Sequence, residues 1–153
     1  MSANKKGNNL QPPIVVPYKT FPGSGAVLWP VVEIRIKRAS FSIPQPIFAL
    51  VDSGASNSIL HPFIAETLGY DLKKLGTPFK GTGVGGSHDV WVLPDMVEVN
   101  LSGYQFVAKF EVINNPRLLW PCILGQDTIF SFARIDFYKY KNFFELRFRS
   151  DIH

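Results

Sequence analysis

The sequence predicts a mostly β chain with two short helices, folded as a single domain. Several short runs alternate apolar and charged residues with period two, and other apolar runs have strand length and stop at Gly or Pro. The 153 residues include 12 Gly and 12 Pro, which favours turns over long helices. That length suits one domain. A composition 46% hydrophobic and 14% aromatic fills a core and excludes global disorder.

Residues 1–25 read as a flexible polar and Pro-rich tail, residues 26–149 as the folded domain, and residues 150–153 as a C-terminal tail. Inside the first tail, Ile14, Val15 and Val16 are boxed in by Pro12, Pro13 and Pro17. They offer an edge strand or an arm for a partner, but the prolines favour an unstructured linker. Val32-Glu33-Ile34-Arg35-Ile36-Lys37 alternates as a half-buried strand does. A loop over residues 40–46 leads to Ile47-Phe48-Ala49-Leu50-Val51, an apolar run expected to be buried on both faces.

A short helix follows, with Pro62 in its first turn, Gly69 at its end, and Ile64 and Leu68 on one face. His61 reads as its cap. After a glycine-rich tip over residues 81–86 comes Val90-Trp91-Val92-Leu93, stopped by Pro94. Ser102-Gly103 separates two arms, residues 96–101 and 104–112, as a two-residue hairpin turn. Cys122-Ile123-Leu124 is a third buried run, ended by Gly125. A second short helix is expected over residues 127–132, and a last hairpin turns around Lys141-Asn142.

Composition narrows the function. The net charge is +4 and the pI near 9.3. The basic residues are scattered: Lys5 and Lys6, Lys73 and Lys74, Arg147 and Arg149. They form no stripe interleaved with aromatics, so no nucleic-acid partner is expected. The single cysteine, Cys122, excludes an intramolecular disulfide and reads as an inert core thiol. No zinc-spaced Cys/His cluster is present, so neither a metal nor another cofactor is expected. Residues 1–11 lack the apolar core of a signal peptide and no run reaches membrane-spanning length. A cytoplasmic location with no membrane partner is the resulting expectation.

The strongest chemical signal is Ala49-Leu50-Val51-Asp52-Ser53-Gly54-Ala55-Ser56. A carboxylate at the end of a buried strand costs free energy unless something satisfies it. Ser53 brings a hydroxyl, and Gly54 a backbone free to bend. On spacing alone the segment is also compatible with a strand end at which Asp52 and Ser53 cap their own turn. Gly81-Thr82-Gly83-Val84-Gly85-Gly86 matches the spacing of a dinucleotide-binding loop, but a strand follows it where that loop needs a helix. His61, His88 and His153 suggest a hydrolase triad with Ser53 or Ser56, yet no Gly-x-Ser-x-Gly elbow exists.

Phe48 to Ala55 resembles the active-site segment of aspartic proteases, an apolar strand followed by Asp-Thr/Ser-Gly. Gly83-Val84-Gly85-Gly86 resembles the flap tip of the retroviral-type members, the retropepsins. Cys122-Ile123-Leu124-Gly125-Gln126-Asp127 resembles their apolar run ending in Gly-Arg-Asp/Asn. The likeness covers about residues 27–147 and is closer to stand-alone cellular and bacterial single-lobe members. It implies a homodimeric, single-lobe acid-protease fold with a closed barrel. Asp52 would be the catalytic residue, with Ser53, Gly54 and Ala55 supporting its loop. Gly83, Val84, Gly85 and Gly86 would close over an extended peptide substrate, and Leu124, Gly125 and Asp127 would support the loop from behind.

Ser53 stands where Thr is commoner, and Gln126 where many members carry Arg, which leaves one inter-chain contact open. The further hairpin beyond the second helix implies a different dimer seam. Proteolysis needs two such carboxylates and this chain has one Asp-Ser-Gly, so the resemblance implies a site on a homodimer axis. The alternative is a non-catalytic dimeric module on the same fold that binds peptides or proteins without cutting.

Overall fold

A computed structural model describes residues 9–23, 25–83, 86–115 and 117–151. In chain order the elements are β1 (Ile14–Pro17), β2 (Val31–Arg38), β3 (Phe41–Ser42), β4 (Ile47–Val51), β5 (Ser58–Leu60) and α1 (Pro62–Thr67). Then come β6 (Phe79–Gly83), β7 (Gly86–Val92), β8 (Val97–Leu101), β9 (Tyr104–Ala108) and β10 (Phe110–Asn114). The chain ends in β11 (Cys122–Leu124), α2 (Ile129–Phe132), β12 (Ala133–Tyr138) and β13 (Phe143–Phe148).

Local chemistry accounts for most of these boundaries. In β2, Val32, Ile34 and Ile36 are buried while Glu33, Arg35 and Lys37 face water, as the alternation predicts. Between β8 and β9, Ser102 (φ 51°) and Gly103 (φ 88°) both take left-handed conformations, the geometry of a tight hairpin that follows strand twist. The Phe63 N–H donates to His61 Nδ1 at 3.1 Å and Pro62 opens α1, so the expected cap holds. Ile64 and Leu68 are both buried on the shared face.

The long sheet runs β6-β7-β10-β5-β11-β4-β2-β8-β9, with β3 attached to β2. Its pairs β10·β5 and β11·β4 are parallel and the others antiparallel. A smaller sheet, β1-β13-β12, packs against it. Phe110, Phe144, Leu146, Phe148, Ile34, Leu60 and Leu124 are fully buried in the shared core.

The structure departs from the sequence expectations at five points. Neither sheet closes into a barrel among the described residues. Instead the inner face of β9 is covered by side chains: Tyr104 stacks on Phe148 at 4.5 Å and Phe106 lies 5.1 Å from Phe132. The presumed linker at Ile14–Pro17 is a strand, paired antiparallel with β13. Ile14, Val16 and Tyr18 pack on the core, which outweighs the turn-forming influence of the flanking prolines.

The apolar run Ile47–Val51 is not buried on both faces, because Phe48 points outward, 37% exposed. There the ring of Phe21 lies 6.3 Å away and the Lys19 ammonium 5.8 Å. Finally, the arm after Ser102-Gly103 is not one strand. It breaks at Lys109, so that β9 pairs with β8 while β10 pairs with β5 and β7. Part of the expected loop over residues 40–46 is also a strand, β3, reached by a tight turn with Ala39 at φ 50°.

Candidate active site

Asp52 follows directly on β4, where the backbone is held from both sides. Its N–H donates to the Leu124 carbonyl at 3.0 Å, and the Val51 N–H donates to Pro30 at 2.9 Å. The chain then turns back on itself. The Gly54 N–H donates to Asp52 Oδ1 at 2.9 Å and the Ala55 N–H to the Asp52 carbonyl at 3.2 Å. A Cβ on Gly54 would lie 3.2 Å from Asp52 Oδ1, so the absence of a side chain leaves the carboxylate room against that amide. Asp52 is half-buried and Ser53 and Gly54 are exposed, so the carboxylate sits at the surface of a rigid strand end.

Leu124, Gly125 and Asp127, the three residues expected there, come together behind this loop. Gly125 is buried, and a Cβ there would lie 2.4 Å from the Ala55 carbonyl oxygen and 2.9 Å from that of Asn57. Only glycine allows the loop to approach so closely. The Gln126 N–H donates to Ala55 at 2.8 Å, and its side-chain Nε2 to the Ser53 carbonyl at 2.7 Å. The residue in the usual Arg position therefore makes a contact within its own chain. Leu124 is fully buried and supplies the carbonyl that binds Asp52 N–H.

Asp127 belongs to a network and does not cap α2, since Thr128 holds the cap position. The network centres on Ser58, which the sequence reading did not single out. Ser58 is fully buried, donates to Asp127 Oδ1 at 2.8 Å, and accepts from the Gly125 N–H at 2.9 Å. Thr128 Oγ1 lies 2.6 Å away. With the one Ser58 proton given to Asp127, Thr128 donates to Ser58. The available signal was a serine in phase with Leu60 on the buried face of an apolar strand, where a hydroxyl must find partners.

Glu111 was likewise missed. It is half-buried on β10 and accepts from Asn57 Nδ2 at 3.0 Å. Burial first, and the nearby Asp127 charge second, push its carboxyl above the ordinary glutamate range.

The glycine-rich segment forms the end of a β6–β7 hairpin, with Gly83 paired to Gly86. Val84 and Gly85 lie outside the described residues, as does His153. Strand follows strand here, so the phosphate-loop reading fails for want of a helix. The remaining histidines are engaged elsewhere: His61 caps α1, and His88 Nε2 lies 3.3 Å from the Asn115 amide nitrogen. Cys122 is fully buried, which pushes its thiol far up and leaves it inert. Among the described residues no group of three His, Cys, Asp or Glu is placed to hold a metal ion, and no helix is long and apolar enough to cross a membrane.

Comparisons with known proteins bear on the family and the fold. A family model described as aspartyl protease matches residues 34–128, a span holding both the Asp52 loop and its Gly125–Thr128 support. A retropepsin-like aspartic protease from Rickettsia conorii superposes with a TM-score of 0.60 at 19% identity, over 90% of this chain and 91% of that chain. The retroviral protease-like domain of Ddi1 from Leishmania major gives 0.51 at 27% identity, over 71% of this chain and 81% of that chain. The fold is retropepsin-like. No curated protein matches the chain significantly.

Proposed function

The chain belongs to the aspartyl protease family, and on that premise we propose that it is an aspartic endopeptidase, active as a homodimer with one Asp52 from each subunit. The supporting observation is the setting of Asp52, which the other aspartates lack. Asp71 caps a 3-10 turn, Asp89 pairs with Lys80, and Asp95 is bound by Tyr70 and Arg38. Asp127 is taken by Ser58, Asp136 by Arg134, and Asp151 by Arg149. Asp52 stands at a strand end with its carboxylate held by its own loop amide. A chain with one such group needs a second copy to supply the other, and a twofold axis brings like residues together.

Two carboxylates so placed share one proton and titrate as a pair. The ionised one takes a proton from the water that lies between them as that water attacks the scissile carbonyl. The protonated one donates to the carbonyl oxygen, and no covalent intermediate forms. In this reading Ser53, exposed beside Asp52, bonds across the axis, and Ala55 leaves the cleft floor shallow. The β6–β7 hairpin is the lid in this reading, closing over an extended peptide bound like an added strand.

The test is cleavage of a diverse peptide mixture from mildly acidic to neutral pH, with Asp52→Asn alongside and the mass in solution measured. Cuts that vanish in the variant, and whose rate rises faster than linearly with enzyme concentration, are expected. A dimer that binds peptides and cuts none would transfer the assignment to the non-catalytic module.

A further inference from the structure

We propose that Glu111 is a positioning residue for the Asp52 loop, acting through Asn57; the inference rests on the protease reading above. The loop over residues 52–57 is exposed at Ser53, Gly54, Ser56 and Asn57, so its shape depends on what grips it from outside. Side chains grip it at both ends. Gln126 holds the front through the Ser53 carbonyl at 2.7 Å, and Glu111 holds the back through Asn57 Nδ2 at 3.0 Å.

Glu111 is itself well fixed. It lies on β10, which pairs in parallel with β5, placing Glu111 opposite Ile59, two residues beyond Asn57. The same strand pairs with β7 on its other side, with Glu111 opposite Val92. A half-buried carboxylate beside Asp127 carries both a desolvation cost and a like-charge cost. Asn57 and Ser58 are consecutive, and each donates to a different carboxylate, Glu111 and Asp127. The end of the loop is thus pinned on both faces of the strand it enters.

Positioning of this kind affects the rate more than substrate binding, because a small misplacement of a reacting group is costly. Glu111→Leu, which removes the acceptor, is expected to lower kcat by roughly tenfold with KM little changed. Glu111→Gln keeps an acceptor for Asn57 and is expected to stay near wild type. Asn57→Asp sets carboxylate against carboxylate and is expected to behave like the leucine variant. Combining Asn57→Asp with Glu111→Gln re-forms the bond with donor and acceptor exchanged, and is expected to recover most of the loss.

Each variant is also followed by hydrogen exchange at the Gly54 and Ala55 amides and by melting temperature. Faster exchange at those amides is expected in Glu111→Leu and Asn57→Asp and not in the exchanged pair. Unchanged exchange in Glu111→Leu, or no recovery in the exchanged pair at preserved melting temperature, overturns the proposal. If the wild type cuts nothing, the protease reading fails by itself, and the exchange comparison still decides whether Glu111 holds the loop.

Discussion

Ser58 Oγ donates to Asp127 Oδ1 across 2.8 Å and accepts the Gly125 N–H across 2.9 Å. One buried hydroxyl thereby joins the strand that leaves the Asp52 loop to the turn that enters α2. Removing it strands the Gly125 N–H in the core and leaves the Thr128 hydroxyl only a long bond of 3.4 Å to the Gly125 carbonyl. Ser58→Ala is expected to destabilise the fold by about 1–3 kcal/mol, the cost of unsatisfied buried polar groups. Thermal unfolding checks this, and a melting temperature equal to wild type would refute it.

Gly125 faces the opposite problem, lack of space. Its absent Cβ would sit 2.4 Å from the Ala55 carbonyl oxygen, and that neighbour is backbone. Gly125→Ala is expected to push the loop off its support, at a cost of about 1–3 kcal/mol. Peptide cleavage is expected to fall further than the melting temperature suggests, since the displaced segment carries Asp52. Retention of full activity would show that the loop tolerates the shift.

The N-terminal arm is expected to contribute to stability. Residues Ile14–Pro17 complete the small sheet, and Tyr18 meets Phe144 edge-on at 5.7 Å. Deleting residues 1–18 uncovers one side of β13, where Phe144 and Leu146 are fully buried in the intact chain. The loss is expected on the order of 3 kcal/mol, from the partly buried Ile14, Val16 and Tyr18. Denaturant unfolding of the shortened and full chains measures it; coincident curves would contradict it.

Asp95 sets an acid limit on stability. The Tyr70 hydroxyl donates to it, Arg38 Nε lies 3.0 Å from its other oxygen, and the Arg38 guanidinium stacks 3.8 Å from the Tyr70 ring centroid. The Tyr70 bond first, and Arg38 with it, hold the Asp95 carboxyl below its ordinary 3.8, against some burial. A carboxylate lowered on folding adds stability that is present above its unfolded value and lost as pH falls through the folded one. Melting temperatures of wild type and Asp95→Asn are therefore expected to differ at neutral pH and to converge below the ordinary value. Parallel curves down to strong acid would remove Asp95 from the account.

Much of this structure is legible locally. The alternation in β2, the left-handed Ser102-Gly103 turn, the His61 cap and the strand that delivers Asp52 all depend on residues within a few positions of one another. Steric and hydrogen-bonding preferences act at that range, so the residue types themselves carry the information. The Asp-Ser-Gly segment is readable for the same reason.

Other features depend on which distant segment arrives alongside. Ile14–Pro17 is a strand because β13 presents an edge and a core to cover. The break at Lys109 exists because the two halves of one apolar arm serve different neighbours. Ser58 and Asp127 are 69 positions apart, and Asn57 and Glu111 are 54. Periodicity records which side of a strand is apolar and leaves its pairing partner open. The sequence alone determined the β character, the turns and the strand end that carries Asp52. The tertiary structure decided what grips that residue's loop, because a hydrogen bond between remote side chains forms only after the strands that carry them have packed.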